Sequence, residues 1–411
     1  MGLKLTPYDK GILNGEQGEA KQLAMEIISR IADSLGARRL VDVVSVQAMA
    51  HFGSLHIAGR DWIEKLACMG GECCVPTTQD PSSIPFETWE QLGFDPEYAE
   101  NQLRLRDAII QLGQFPTWSC TPYNQGSLPR FGQNVAWAES SAVSYANSVI
   151  GARTNRTPAG FAICVALTGR APETGLYLTE NRRAQIKVHV DAGALSDLDY
   201  NTLGIILGRM AGNRIPALYG IPKSVTNDNL KYLGASAASS GSVALYHIDG
   251  VTPEALMRDP FHRAKPVDEI LITRRMLDET AESLNTPRHA QAQLVVTGCP
   301  HCSASELLHI GRLMEGRRLK ADKGFWIYTT YETDSLMRRM GVVQKLEAAG
   351  VRMMVSTCLV ISPLTGGYRT LMTNSGKFAS YLPSEHHVDL IYASIEDCVA
   401  CVTERGDRHG G

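Results

Sequence analysis

The sequence has no run of about 18 apolar residues, the length a membrane-crossing helix needs, and its most hydrophobic stretches are short and broken by charge. Its first residues lack the apolar core and small-residue cleavage site of a secretory leader. A basic surplus is missing too: 40 Lys and Arg stand against 43 Asp and Glu, a net charge of −3, which offers nothing to nucleic acid or to an anionic membrane. Internal repeats, heptad runs and low-complexity tracts are absent, and 37 Gly and 19 Pro in 411 residues are near average. The expectation is a cytoplasmic protein with no nucleic-acid partner and no membrane partner.

What is present is globular material, 44% hydrophobic and 20% charged, with length for about two to three domains. An amphipathic stretch from Glu19 to Leu35 reads as a helix ending at Gly36. Strand candidates are Leu40–Val44, a short run at Val75-Pro-Thr-Thr, Leu294-Val-Val-Thr, Phe325-Trp-Ile-Tyr-Thr-Thr, Val351–Ser356 and Val388–Tyr392. Helices over Ser303–Glu315 and Asp334–Ala349 fall between them, the alternation of an α/β protein with largely parallel sheets. A body over 1–405 is expected, with an internal lobe junction near 258–290 and a polar tail at 406–411.

Ten cysteines lie at 68, 73, 74, 120, 164, 299, 302, 358, 398 and 401. A chain of this length does not need disulfides to hold its core, and Cys68 and Cys164 read as small buried hydrophobes. Others are placed differently. Leu294-Val-Val-Thr-Gly-Cys299-Pro-His-Cys302 is a strand running into a turn, with Ser303 ready to cap a helix. Val355-Ser-Thr-Cys358 repeats that arrangement, and Trp118-Ser-Cys120-Thr-Pro-Tyr sets a third thiol in a turn. Ligands gather at the carboxyl ends of strands in open α/β sheets, so three thiols delivered there are placed as metal ligands are. Spacing alone leaves three readings level: a cluster, a zinc site using Cys299, Cys302, Cys398 and Cys401 in a non-catalytic subunit, or inert thiols. A redox pair at Cys299 and Cys302 fits less well, because of the Pro-His between them.

Two polar strings point toward catalysis. Trp137-Ala-Glu139-Ser-Ser-Ala-Val-Ser-Tyr-Ala-Asn147 puts Glu139 and Asn147 on one helix face, and Gly151-Ala-Arg153-Thr-Asn155-Arg156 follows. Two arginines and two amides are costly to bury without an anionic partner, although a solvated helix end explains them equally well. Thr373-Asn-Ser375-Gly-Lys377-Phe has the Gly-Lys pair of a phosphate loop without its first glycine; nucleotide binding is rejected, and an oxyanion remains a fit.

Taken in order, these strings resemble the aconitase X family, in particular the large subunit of its two-chain form. The matching pieces span nearly the whole chain: Leu13-Asn-Gly-Glu16-Gln-Gly18, Val75-Pro-Thr-Thr78, Ser119-Cys120-Thr-Pro-Tyr123, Ala136-Trp-Ala-Glu139-Ser-Ser-Ala-Val143, Gly151-Ala-Arg-Thr-Asn155-Arg156, Thr168-Gly-Arg170, Gly298-Cys-Pro-His301, Ser356-Thr-Cys358 and Asn374-Ser-Gly-Lys377-Phe-Ala. Each is weak alone, and the ordered set is specific.

The resemblance implies a hydro-lyase of aconitase-like architecture, several α/β lobes with largely parallel sheets around a central cleft. It implies an iron–sulfur cluster, 4Fe–4S or 2Fe–2S, on Cys120, Cys299 and Cys358, with Cys302 only a neighbour. His301, Ser375 and Lys377 take catalytic positions on this reading. Arg153, Asn155, Arg156, Glu139 and Asn147 take substrate-binding ones, with His51 and His56 as candidates for the surrounding shell. The partners implied are a small-molecule hydroxy acid and a small swivelling-domain subunit that brings the serine base. Two substrates fit the family, cis-3-hydroxy-L-proline and mevalonate 5-phosphate. The first is favoured, since nothing in the composition marks an extra cationic pocket for a phosphate.

Overall fold

The computed structural model describes residues 2–286 and 291–405. Three lobes follow one another, each with its own parallel sheet. In the first, β1 (Val46–Ala48), β2 (Thr77–Gln79) and β3 (Ala136–Trp137) align in the order β2-β1-β3. In the second, β4 (Ile186–Asp191), β5 (Pro216–Tyr219), β6 (His247–Ile248) and β7 (Asp268–Thr273) align as β6-β5-β4-β7. In the third, β8 (Leu294–Cys302), β9 (Gly324–Thr329), β10 (Arg352–Val355), β11 (Thr370–Thr373) and β12 (Asp389–Tyr392) run as β10-β9-β8-β11-β12. Two short antiparallel pairs, Leu40–Asp42 with Arg170–Pro172 and Arg317–Leu319 with Thr403–Arg405, complete the strands.

The third sheet shows why its strands read as unbroken apolar runs: helices cover both faces. Leu294, Val296, Trp326 and Tyr328 enter one core, while Val295, Phe325 and Ile327 enter the opposite one, as the two-residue strand period requires. Cys299 falls on the first side and Cys302 on the second. Gly298 (φ 95°) precedes Cys299, and a Cβ there would stand 2.1 Å from the Tyr328 carbonyl oxygen, so only glycine lets β8 approach β9 while the chain turns. The expected single helix over Asp334–Ala349 is two, Tyr331–Arg339 and Val342–Ala348. Gly341 (φ 72°) breaks it, a left-handed position that the apolar spacing on either side does not reveal.

The passage from the second core to the third falls between Leu277 and Ala292. The expected junction range reaches into 287–290, and the expected tail is 406–411; both of these stretches lie outside the described residues. None of the described helices is long and apolar enough to cross a membrane.

Candidate active site

The carboxyl ends of the first and third sheets face each other. From the first lobe come His51 after β1, Asp80 after β2 and Glu139 after β3. Cys120 arrives on a segment that runs beside β2, where the Ser119 N–H donates to the Gln79 carbonyl at 2.8 Å. From the third lobe come Cys299 and His301 at the end of β8, Cys358 after β10, and Ser375 and Lys377 after β11. The lobes are stitched at Ser82, whose N–H donates to the Ser356 carbonyl at 3.0 Å and whose carbonyl accepts from the Cys358 N–H at 3.3 Å and the Thr357 hydroxyl at 2.9 Å.

Lys377 and Glu139 form a buried ion pair across the cleft. Glu139 also caps the helix Ser140–Tyr145, accepting from the Ala142 N–H at 2.8 Å and from the Ser141 hydroxyl. Burial pushes the Glu139 carboxyl up, but the Lys377 charge and these donors outweigh it and hold it below the ordinary carboxylate range. Burial works to lower the Lys377 ammonium, and Glu139 with the Cys299, Tyr381 and Cys120 side chains raises it well above its usual value.

The three thiols share this neighbourhood. Cys358 is lowered first by a hydrogen bond from Cys299, against burial and with help from Lys377. Cys299 is raised by burial and by the same partner. Cys120 is pushed well up by burial and by the nearby Glu139 and Asp80 carboxylates, with Lys377 opposing. Buried thiols of this kind give up their protons when a cationic centre binds them.

Several buried polar atoms at these strand ends have no hydrogen-bond partner among the described residues: both nitrogens of His51, Asp80 Oδ1, His301 Nδ1 and Ser356 Oγ. Unsatisfied buried groups are costly unless a ligand meets them. Three sulfur donors beside orphaned polar atoms therefore fit an iron–sulfur group with a polar substrate next to it. His51 Nε2 lies 3.6 Å from Asp80 Oδ2. Burial first, then Glu139, raises the Asp80 carboxyl to about 6, against the lowering pull of His51 and Lys377.

A raised acid holds its proton more tightly in the folded chain than in the unfolded one. The stability that Asp80 contributes is therefore complete below its unfolded pKa near 4 and is lost as pH rises through 6. A shift of about two units corresponds to roughly 3 kcal/mol. Urea unfolding of the metal-free chain at pH 4.5 and 7.5 is expected to show Asp80→Asn gaining on the parent at the higher pH by about 2 kcal/mol, the part of the shift that falls between those two values. Parallel pH profiles would contradict the assignment.

The other residues singled out in the sequence fall into two groups. Arg156 is exposed and near Tyr381 and Glu139; burial of part of it lowers its guanidinium and those two groups raise it. Asn147, Arg153 and Asn155 have their side-chain hydrogen bonds within the chain. The Asn147 amide donates to the Thr154 and Ala244 carbonyls and accepts from the Thr154 N–H and Arg182. Arg153 donates to the Tyr177 carbonyl and Thr179, and Asn155 clips the Thr174 carbonyl and the Leu176 N–H. The arginine and amides that looked costly to bury have their partners in the chain's own backbone. His56 is exposed at a kink (φ 50°, ψ −162°) in the helix Phe52–Cys68. The Ser375 hydroxyl donates to the Cys299 carbonyl and accepts from the Phe378 N–H at 3.2 Å, so it caps a helix and fixes the Cys299 turn.

The four-cysteine zinc arrangement does not form. Cys299 and Cys302 face opposite cores, and Cys398 packs with Cys302 on the far side. Among the described residues no group of three or more His, Cys, Asp or Glu side chains is placed to hold a metal ion; a polynuclear cluster spreads its ligands further apart than one ion does. Asp80 escaped the sequence reading, although the rule applied to the cysteines, a reactive side chain just after a strand, would have marked it.

Family models of the aconitase X first, second and third domains match residues 2–180, 184–282 and 292–404. The phosphomevalonate dehydratase large subunit of Methanosarcina mazei is 38% identical over 99% of this chain and 99% of that protein. The cis-3-hydroxy-L-proline dehydratase of Pseudomonas aeruginosa is 36% identical over 97% of this chain and 70% of that protein. The crystal structure of Thermococcus kodakaraensis aconitase X in its holo-form superposes with a TM-score of 0.89 at 32% identity, covering 97% of this chain and 100% of that one.

Proposed function

The chain belongs to the aconitase X family of dehydratases, and from that premise we propose that it is the large subunit of a hydro-lyase acting on a β-hydroxy acid. The observation that carries the reading is the meeting of Cys120, Cys299 and Cys358, from two lobes, around the Lys377–Glu139 pair. These thiols would hold an iron–sulfur cluster, whose chemistry is that of a Lewis acid for a poor leaving group such as hydroxide. Both substrates named for the relatives carry a hydroxyl β to a carboxylate. Dehydration breaks the Cα–H and Cβ–O bonds, forms the Cα–Cβ double bond and releases water.

Within this chain, Arg156 receives the substrate carboxylate. Lys377 lowers the cost of ionising the three thiols, and Glu139 holds Lys377 in place. His51 and Asp80 offer their unpartnered atoms to the substrate's polar groups. Ser375 is occupied by its own turn, so the base that takes the Cα proton comes from a small-subunit partner. The ten cysteines are unpaired, which suits the reducing cytoplasm.

Arg156 is a cation at this site with no carboxylate partner among the described residues, and one guanidinium matches a substrate with one anionic group, cis-3-hydroxy-L-proline. Phosphomevalonate is the second reading, supported by the 38% identity to the Methanosarcina mazei protein. The test is to purify the chain anaerobically with its small partner and follow both compounds by NMR. A double-bonded product from the hydroxyproline supports the first assignment, product from the phosphate supports the second, and product from neither overturns the function. Arg156→Gln is expected to raise KM by about 10- to 100-fold with kcat nearly unchanged, as when a charge-assisted bond made equally in ground and transition states is removed.

A further inference from the structure

His301 touches all three cysteine-bearing turns. Its own turn carries Cys299, two residues earlier. Its backbone N–H donates to Cys120 Sγ at 3.3 Å, bridging a sequence separation of 181. Its ring Nε2 stands 2.8 Å from the carbonyl oxygen of Thr357, the neighbour of Cys358. A carbonyl only accepts, so Nε2 carries the ring proton, and Nδ1, buried and without a partner among the described residues, is the bare nitrogen.

The turn is also held from behind. Lys231 Nζ, on the helix Asn227–Ser240 of the second lobe, lies 3.4 Å from the His301 carbonyl oxygen. Lys231 is itself paired with Glu306 and stands 3.1 Å from Asp228. Glu306 closes the cap of the next helix by accepting from the Ser303 N–H at 2.7 Å, and the Ser303 hydroxyl donates to Asp228 at 2.9 Å. Thus the second lobe fixes the β8 turn, and that turn fixes the other two.

We propose that His301 is a positioning residue that sets the spacing of Cys120, Cys299 and Cys358 through its Nε2–H and its backbone N–H, rather than a group that carries a proton in the reaction. The inference rests on the reading of these thiols as cluster ligands. Three ligands on three separate segments have no covalent reason to keep their spacing, and one rigid, fully buried ring bonded to the neighbouring turn supplies it.

The two ring nitrogens can be separated by substitution. His301→Gln places an amide N–H where Nε2 stood, and His301→Asn places one where Nδ1 stood, too short to reach the Thr357 carbonyl. The reconstituted chains are challenged with an iron chelator, and the decay of visible absorption and of visible circular dichroism is followed. The Asn variant is expected to lose its cluster about 10- to 100-fold faster than the parent, with an altered dichroism spectrum, the usual range for a lost outer-shell contact. The Gln variant is expected to stay within a few-fold of the parent. Thermal unfolding of the three metal-free chains identifies any Asn variant that fails to fold, and the Gln variant then decides by its lifetime and spectrum. Equal lifetimes and spectra for Asn and parent, or a Gln variant as labile as Asn, would overturn the Nε2 role. A parent chain that takes up no iron would instead bring down the three-thiol reading beneath it.

Discussion

Lys377→Met is expected to destabilise the chain by about 3–5 kcal/mol, because it leaves the Glu139 carboxylate buried without its counter-charge. Total stabilities run to only about 5–15 kcal/mol, so a large part of the folded margin goes with one side chain. Both residues are less than a tenth exposed, with relative accessibilities of 8% and 6%, and the pair joins the first lobe to the third. A buried pair can often be exchanged for apolar groups at little cost even though breaking it is expensive. The double variant Lys377→Met with Glu139→Leu is therefore expected to recover much of the loss in urea unfolding. A double variant as unstable as the single one would mean that Lys377 acts by filling space.

The pair also has a signature in pH. The Glu139 carboxyl is held below its ordinary value, so its share of stability is present above the unfolded pKa near 4 and is lost as pH falls through the lower folded pKa. The Lys377 ammonium is held above its ordinary value, so its share is present below about 10 and is lost as pH rises through the higher folded pKa. The double variant lacks both titrations, so the parent should lose stability relative to it on either side of this window. The Asp80 effect acts in the opposite sense between pH 4 and 6, and in the double variant it keeps its largest cause, burial, without the opposed contributions of Glu139 and Lys377.

The parallel α/β lobes were legible because the strands are covered on both faces and so read as continuous apolar runs, Leu294-Val-Val and Phe325-Trp-Ile-Tyr among them. The strand-end cysteines were legible for a related reason: a reactive side chain stands out where a β-branched run stops. The two-residue strand Ala136–Trp137 carries no such pattern and appears only when β1 is there to pair with it. Polar residues were the hardest to place. Asn147, Arg153 and Asn155 have the composition of a ligand site, yet sequence does not separate an amide that meets a substrate from one that closes a carbonyl of its own chain. Asp80 and His51, just past the ends of neighbouring strands, are brought to 3.6 Å only by the parallel register of β1 and β2. Lys231 and Glu306 come from different lobes and carry no motif at all.

Serine substitutions at the cysteines should divide them sharply. Cys120→Ser, Cys299→Ser and Cys358→Ser are each expected to abolish the broad visible absorption of the anaerobically purified protein and to lower kcat by at least about 10³-fold. Losing Lewis-acid stabilisation worth several kcal/mol, at about 1.4 kcal/mol per decade of rate, gives that order. Cys302→Ser and Cys398→Ser are expected to keep iron and rate, because their thiols lie in the core on the other face of the third sheet. Some loss of stability is expected there, since each substitution places a hydroxyl in apolar surroundings. The comparison controls for simple unfolding: all five sites are buried or partly so, yet only three should change the spectrum. If Cys302→Ser removed the colour while Cys120→Ser kept it, the centre would belong to the Cys299–Cys302 pair and the chemistry would be redox. Were all five variants to keep colour and rate, the thiols would be packing residues and the dehydratase would have to draw its Lewis acid from its partner.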